Sequence, residues 1–172
     1  MTDDLTIRAA SPADLDALVV MYQATQQWLA EKGSNQWATN TAERVRAKLT
    51  QAVERGECFV AENRNGIVGT ITVDDFADPE FWSDDEPESA LYVHRMMVDR
   101  SAAGQNIGGR LLDYAEEVAA RAGKKRLRLD AWRTNKPLHE YYMRQGLDLV
   151  RIVSLPHRGS GALFERAVRT HR

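Results

Sequence analysis

Apolar positions along the chain change period several times, and each change marks an element. Residues 5–9 form a short strand, and Ser11-Pro12-Ala13-Asp14 then supplies a helix start, with Ser as cap, Pro at the first helical position and Asp reaching back. Leu15, Leu18, Val19, Tyr22 and Leu29 recur at helical spacing, and Gly33 is placed to end a helix of about 18 to 20 residues. A second helix begins near Asn40 or Thr41. Glu43 follows Asn40 by three residues as in a capping box, Val45, Leu49 and Val53 form its buried stripe, and Gly56 closes it. Between the two helices, residues 32–39 read as a loop carrying Gln36-Trp37.

The period then drops to that of strands. Residues 58–61 and 67–73 are β-rich runs separated by Glu62-Asn63-Arg64-Asn65-Gly66, a hairpin turn whose Asn-Gly pair provides positive φ. From 74 to 89 the pattern reads as a long acidic loop: Asp74, Asp75, Asp78, Glu80, Asp84, Asp85, Glu86 and Glu88 are interleaved with Phe76, Phe81 and Trp82. Residues 91–98 read as a strand, 107–122 as a helix ended by Gly123, and 127–131 as a strand. A short helix over 135–145 stops at Gly146, and strands over 147–153 and 162–168 follow. This order predicts an α/β fold with a mixed sheet of about seven strands and about four helices. Its centre is a right-handed parallel β-α-β unit, with antiparallel hairpins at both ends. The end of strand 91–98 is then the natural ligand crevice, where a loop leads into a helix.

Composition narrows the function classes. The 172 residues fit one domain over 1–172, and no repeat, low-complexity tract or linker divides them. Twenty-three Lys and Arg against 25 Asp and Glu give a net charge of -2, unlike the basic balance of nucleic-acid binders. No apolar run is long enough to span a membrane, and the acidic Met1-Thr2-Asp3-Asp4 does not resemble a signal peptide, so a cytoplasmic setting is expected. Cys58 has no disulfide partner, and the four histidines lack metal-ligand spacing, so no metal is expected. Lying early in a strand, Cys58 reads as a small buried residue and not as a nucleophile.

The segment Ala103-Gly104-Gln105-Asn106-Ile107-Gly108-Gly109-Arg110 joins a strand to a helix. Its backbone N–H groups and the positive end of the helix dipole suit an anion, the glycines permit close approach, and Arg110 adds charge. Tight helix-sheet packing would use the same small residues. Arg110 and Leu111 stand where a Walker loop needs Lys and Ser or Thr, and the G-x-G-x-x-G pattern of dinucleotide folds is absent.

Residues Met96-Met97-Val98-Asp99-Arg100 through Leu112 resemble the acetyl-CoA signature of the GNAT acetyltransferase superfamily, R/Q-x-x-G-x-G/A before a Leu-rich helix. Asn135, Tyr142 and Gly146 resemble its N-x₆-Y-x₃-G motif. Two positions depart: Ala103 stands where the family has Arg or Gln, and Asn106 where it has Gly, although Asn tolerates the left-handed backbone and Arg110 or Arg100 is a substitute charge. The resemblance implies that Met96, Met97 and Val98 bond the pantetheine arm of acetyl-CoA, that amides of Ala103, Gly104, Gln105, Asn106, Ile107, Gly108 and Gly109 hold its pyrophosphate, and that Asn135 contacts its arm. It also implies that Tyr142 protonates the leaving thiolate, with the adjacent Tyr141 an equal competitor on the helix pattern alone.

The implied activity is N-acetyl transfer to a primary amine of a small molecule by direct attack in a ternary complex. A mostly protonated amine then needs a base, for which Asp130, His94, Glu88 and Asp75 are candidates. Trp28, Trp37, Asp75 and Trp82, with Phe76 and Phe81, read as an aromatic, acidic wall for a cationic amine. Two other functions fit the same residues: a non-catalytic acyl-CoA sensor, and a protein N-terminal or lysine acetyltransferase. A homodimer is open; no nucleic-acid or membrane partner is expected.

Overall fold

The computed structural model describes residues 4–169, so Met1-Thr2-Asp3 of the acidic opening lies outside the described residues. Its strands are β1 (Thr6–Ala9), β2 (Cys58–Asn63), β3 (Gly66–Asp74), β4 (Ala90–Val98), β5 (Arg126–Trp132), β6 (Asp148–Ile152) and β7 (Ser160–Ala167). Its helices are α1 (Leu15–Glu31), α2 (Ala42–Glu54), α3 (Pro79–Trp82), α4 (Ile107–Arg121) and α5 (Lys136–Arg144). The strands neighbour one another in the order β1-β2-β3-β4-β5-β7-β6. β4 and β5 run parallel through Ala90↔Arg126, Leu91↔Leu127 and Tyr92↔Arg128, whereas β1-β2, β2-β3, β5-β7 and β6-β7 are antiparallel. This is the mixed sheet that the pattern predicts, with β4-α4-β5 as its parallel crossover. No helix among the described residues is long and apolar enough to cross a membrane.

The chain divides into two compact units, Met1–Thr72 with Arg95–Leu112, and Val73–His94 with Asp113–Arg172. In the first, α1 and α2 bury Leu18, Tyr22, Val45, Leu49 and Val53 in one cluster with Val60 and Met97. The helix start is as the sequence predicts: Ser11 N–H donates to the Asp14 carboxylate at 2.8 Å. Arg8 also binds Asp14 at 2.8 Å, and its hydrogen bonds hold that carboxyl below the usual range. α2 takes the second of the two predicted starts, without the predicted capping box. Thr41, not Asn40, is the cap, its Oγ1 accepting from Arg44 N–H at 3.2 Å, so Glu43 falls one position short of a capping box. Gly69 of β3 has no room for a side chain, since a Cβ there would lie 3.0 Å from Ile107 Cγ2, 3.1 Å from Leu111 Cδ1 and 3.2 Å from Met97 O.

In the second unit, Phe81, Trp82, Ala90, Tyr92 and Leu163 form a core. The acidic segment, expected as one long loop with aromatic anchors, is anchored by Phe81 and Trp82 but is partly helical. It contains α3, begun by Asp78 and Pro79, and a 3-10 turn at Pro87–Ser89. Its carboxylates are partnered from afar, Asp78 and Glu80 by Arg158 and Asp85 by Arg151. Glu116 of α4 is buried against Arg166 at 2.9 Å and Arg169 at 2.8 Å. Burial pushes its carboxyl up, but the hydrogen bonds from Arg169 and the charge of Arg166 outweigh this and leave it below the usual range.

Candidate active site

The loop expected to take phosphate lies in the first unit. After β4, Asp99 caps a 3-10 turn (Arg100–Ala102) by accepting from Ser101 N–H at 2.9 Å, and the chain then reaches α4 through residues 103–106. Gly104 (φ 87°) and Asn106 (φ 57°) both hold left-handed backbone. The position where Asn replaces the family's Gly is thus one that demands this conformation. The first helical bond back is Arg110 N–H to Asn106 C=O at 3.1 Å, so helix geometry gives Ile107, Gly108 and Gly109 N–H no acceptor within α4. Ile107, Gly108 and Gly109 are themselves buried, and Ala103, Gly104 and Gln105 are exposed. These groups stand at the N-terminal end of a 15-residue helix, the positive end of its dipole.

Upstream, Met97 is buried in the core while Met96 and Val98 are half-buried. Arg95, immediately before them, has φ 49° inside β4, a break in extended geometry that no residue pattern foretells. Trp28 of α1 lies beneath the Arg100 guanidinium, whose carbon is 4.0 Å from the ring centroid. Trp37 (φ 65°) stacks on Tyr22 at 4.6 Å between centroids, and Asn40 donates to the Tyr22 hydroxyl at 2.5 Å.

The remaining predicted residues lie in the second unit. Tyr142 of α5 is 8% exposed and packs on Phe164 at 5.5 Å, with Tyr141 at 5.7 Å. Burial, then the charges of Tyr141 and Asp130, raise its phenol well above the ordinary tyrosine value. Tyr141 is half-buried, and its hydroxyl is raised by burial too, against the charge of Arg144. Asp130 accepts a hydrogen bond from the Ser160 hydroxyl. Asn135 is the cap of α5, its Oδ1 accepting from Leu138 N–H at 3.2 Å.

His94 is paired where the sequence gave no hint. Its Nε2 lies 2.9 Å from Asp74 Oδ1, and Phe76, 58% exposed, has its ring 6.5 Å away. A carboxylate can only accept, so Nε2 carries the proton and Nδ1 is the basic nitrogen of the neutral ring. Asp74 and Ser160 are the neighbours of these candidates that sequence reasoning missed. A 15-residue connection leaves the register of β3 against β4 unspecified, and Ser160 meets Asp130 only through the β5-β7 pairing.

One expected contact is corrected. Trp82 is 1% exposed and lies between Tyr92 and the guanidinium of Arg128, 4.7 Å from its ring, so it is core and presents no face to an amine. Asp75, by contrast, is exposed. Cys58 is buried, its thiol pushed up by that burial, as befits an inert residue.

Residues 22–147 match the model of the acetyltransferase (GNAT) family. The uncharacterized N-acetyltransferase YesJ of Bacillus subtilis is 31% identical over 140 residues, covering 80% of this chain and 78% of its own. Among solved structures, a GNAT-family acetyltransferase from Listeria monocytogenes aligns with a TM-score of 0.76 at 25% identity, over 95% of this chain and 94% of that one. A Salmonella typhimurium structure described with its cofactor acetyl-CoA aligns with a TM-score of 0.69 at 17% identity, over 98% and 96%. The chain accordingly belongs to the acetyltransferase (GNAT) family.

Proposed function

We propose that this acetyltransferase moves an acetyl group from acetyl-CoA to the primary amine of a small molecule by direct attack in a ternary complex. The left-handed loop at Gly104 and Asn106 and the first-turn N–H groups of α4 fit the donor's phosphates. The observation that carries the chemistry is Tyr142, a phenol packed into the core on Phe164 and kept protonated there. Each step has a residue suited to it. His94 Nδ1, aimed by Asp74, takes a proton from the ammonium group, and the free amine attacks the thioester carbonyl. As the new C–N bond forms, the C–S bond breaks with its electron pair on sulfur, Tyr142 supplies the proton that sulfur needs, and the second proton that the nitrogen sheds on becoming an amide restores the phenol. Burial first, and then the charges of Tyr141 and Asp130, keep the Tyr142 proton on the phenol until sulfur takes it.

Thiol release from acetyl-CoA across a panel of amines tests this directly. Turnover with at least one small amine is expected, with Tyr142→Phe lowering kcat by about a hundredfold or more and leaving KM for the donor within about threefold. Binding of acetyl-CoA without thiol release for any amine would instead establish a sensor. Turnover only with protein N-termini or lysines would move the acceptor to a polypeptide.

A further inference from the structure

Coenzyme A presents several negative charges, and the loop meets them without a side-chain cation at Ala103. One organised charge stands three residues upstream. Arg100 is exposed, yet its guanidinium is laid over the Trp28 ring at 4.0 Å, and Lys32 Nζ stands 6.0 Å from the same centroid. No carboxylate pairs with Arg100 among the described residues; the adjacent Asp99 is engaged by Ser101 N–H at 2.9 Å and by the Ser101 hydroxyl at 2.8 Å. Two cations are therefore gathered on one indole beside the loop, an arrangement whose mutual repulsion an anion relieves.

We propose that Arg100, held against Trp28, is the cation that binds the phosphates of coenzyme A in place of a charge at residue 103. Trp28 is then a positioning residue for the donor instead of part of an acceptor wall. This rests on the loop's holding the donor, as proposed above. A flat guanidinium whose stem is fixed by stacking loses less freedom on binding phosphate than a mobile one, so the indole contributes through the arginine.

Calorimetry with coenzyme A, 3′-dephospho-coenzyme A and pantetheine on wild type, Arg100→Gln, Trp28→Leu and the double variant tests the proposal. Arg100→Gln is expected to weaken coenzyme A by about tenfold and to flatten the salt dependence of binding. In turnover, the preference for acetyl-CoA over acetyl-pantetheine should fall by a like factor through donor KM. Trp28→Leu should lose about three- to fivefold, and the double variant should be no weaker than Arg100→Gln within about twofold, because both changes remove one interaction. An equal loss on 3′-dephospho-coenzyme A assigns Arg100 to the diphosphate, and a vanished loss assigns it to the 3′-phosphate. Unchanged binding by Arg100→Gln, or losses that simply add, overturns the proposal while donor binding stands. Absence of heat from wild type with coenzyme A sinks the underlying reading instead.

Discussion

Residue 106 shows how one side chain can be both a departure from a motif and a fit to its geometry. At φ 57° a β-branched residue is strained by about 1–2 kcal/mol, Asn by less and Gly by none. Asn106→Gly is therefore expected to change stability by no more than about 0.5 kcal/mol. Asn106→Val should lower it by about 1–2 kcal/mol in urea unfolding and also weaken donor binding, since the loop's N–H groups would turn away. Equal midpoints for the two variants would show that the loop does not need this backbone. Tyr142 carries a second prediction. Its phenol, raised by burial and then by Tyr141 and Asp130, keeps its proton in the folded state at pH values where the unfolded chain, with a pKa of about 10, has lost it. The folded pKa lies above the unfolded one, so the associated stability is complete below about pH 10 and is lost as pH rises further, at up to about 1.4 kcal/mol per pH unit. Tyr142→Phe removes that loss. The stability difference between wild type and this variant should be flat to about pH 9 and should then move in favour of Phe, as read from urea midpoints across pH.

At the scale of elements, the position of α4 decides what its first turn can do. Gly69 lets Ile107 and Leu111 approach β3 within a distance that a Cβ would contest, and one of the opposing atoms is the Met97 carbonyl oxygen, which cannot yield as a side chain can. Gly69→Ala is expected to cost about 1–3 kcal/mol by overpacking and to raise the Kd for coenzyme A, because the displaced helix carries the Ile107–Gly109 amides with it. Lost stability with unchanged affinity would separate the helix packing from the loop. α4 also shows what a sequence discloses about elements. Its apolar stripe, its Gly123 stop and the left-handed entry at Asn106 were legible because period and backbone preference are local properties. The fate of the acidic segment was not. Whether Asp78 and Glu80 face solvent or meet Arg158, about eighty positions away, depends on strand register, and so does the burial of Trp82 beneath Arg128. For the same reason Tyr142, Asp130 and His94 could be named from sequence, whereas their partners Ser160 and Asp74 could not.

For the molecule as a whole, a net charge of -2 offers an anionic donor no long-range attraction, so the proposed recognition rests on local donors: the first turn of α4, the left-handed loop and the stacked Arg100. β3, β4 and α4 each contribute residues to both compact units, so neither unit contains a full set of elements and a single unfolding transition is expected. A ligand that binds only the folded chain stabilises it by about 2.7 kcal/mol at a hundredfold excess over Kd, and a chain of this length gains about 2–4 °C per kcal/mol. Saturating coenzyme A should therefore raise Tm by about 5–11 °C in one transition. Desulfo-coenzyme A, which keeps every phosphate and lacks the thiol, should match it, whereas pantetheine at the same concentration should give a much smaller shift. Equal shifts from pantetheine and coenzyme A would place the binding energy in the arm and remove the phosphate loop from its assigned role. A shift confined to one of two resolved transitions would show instead that the units unfold separately and that the donor stabilises only one of them.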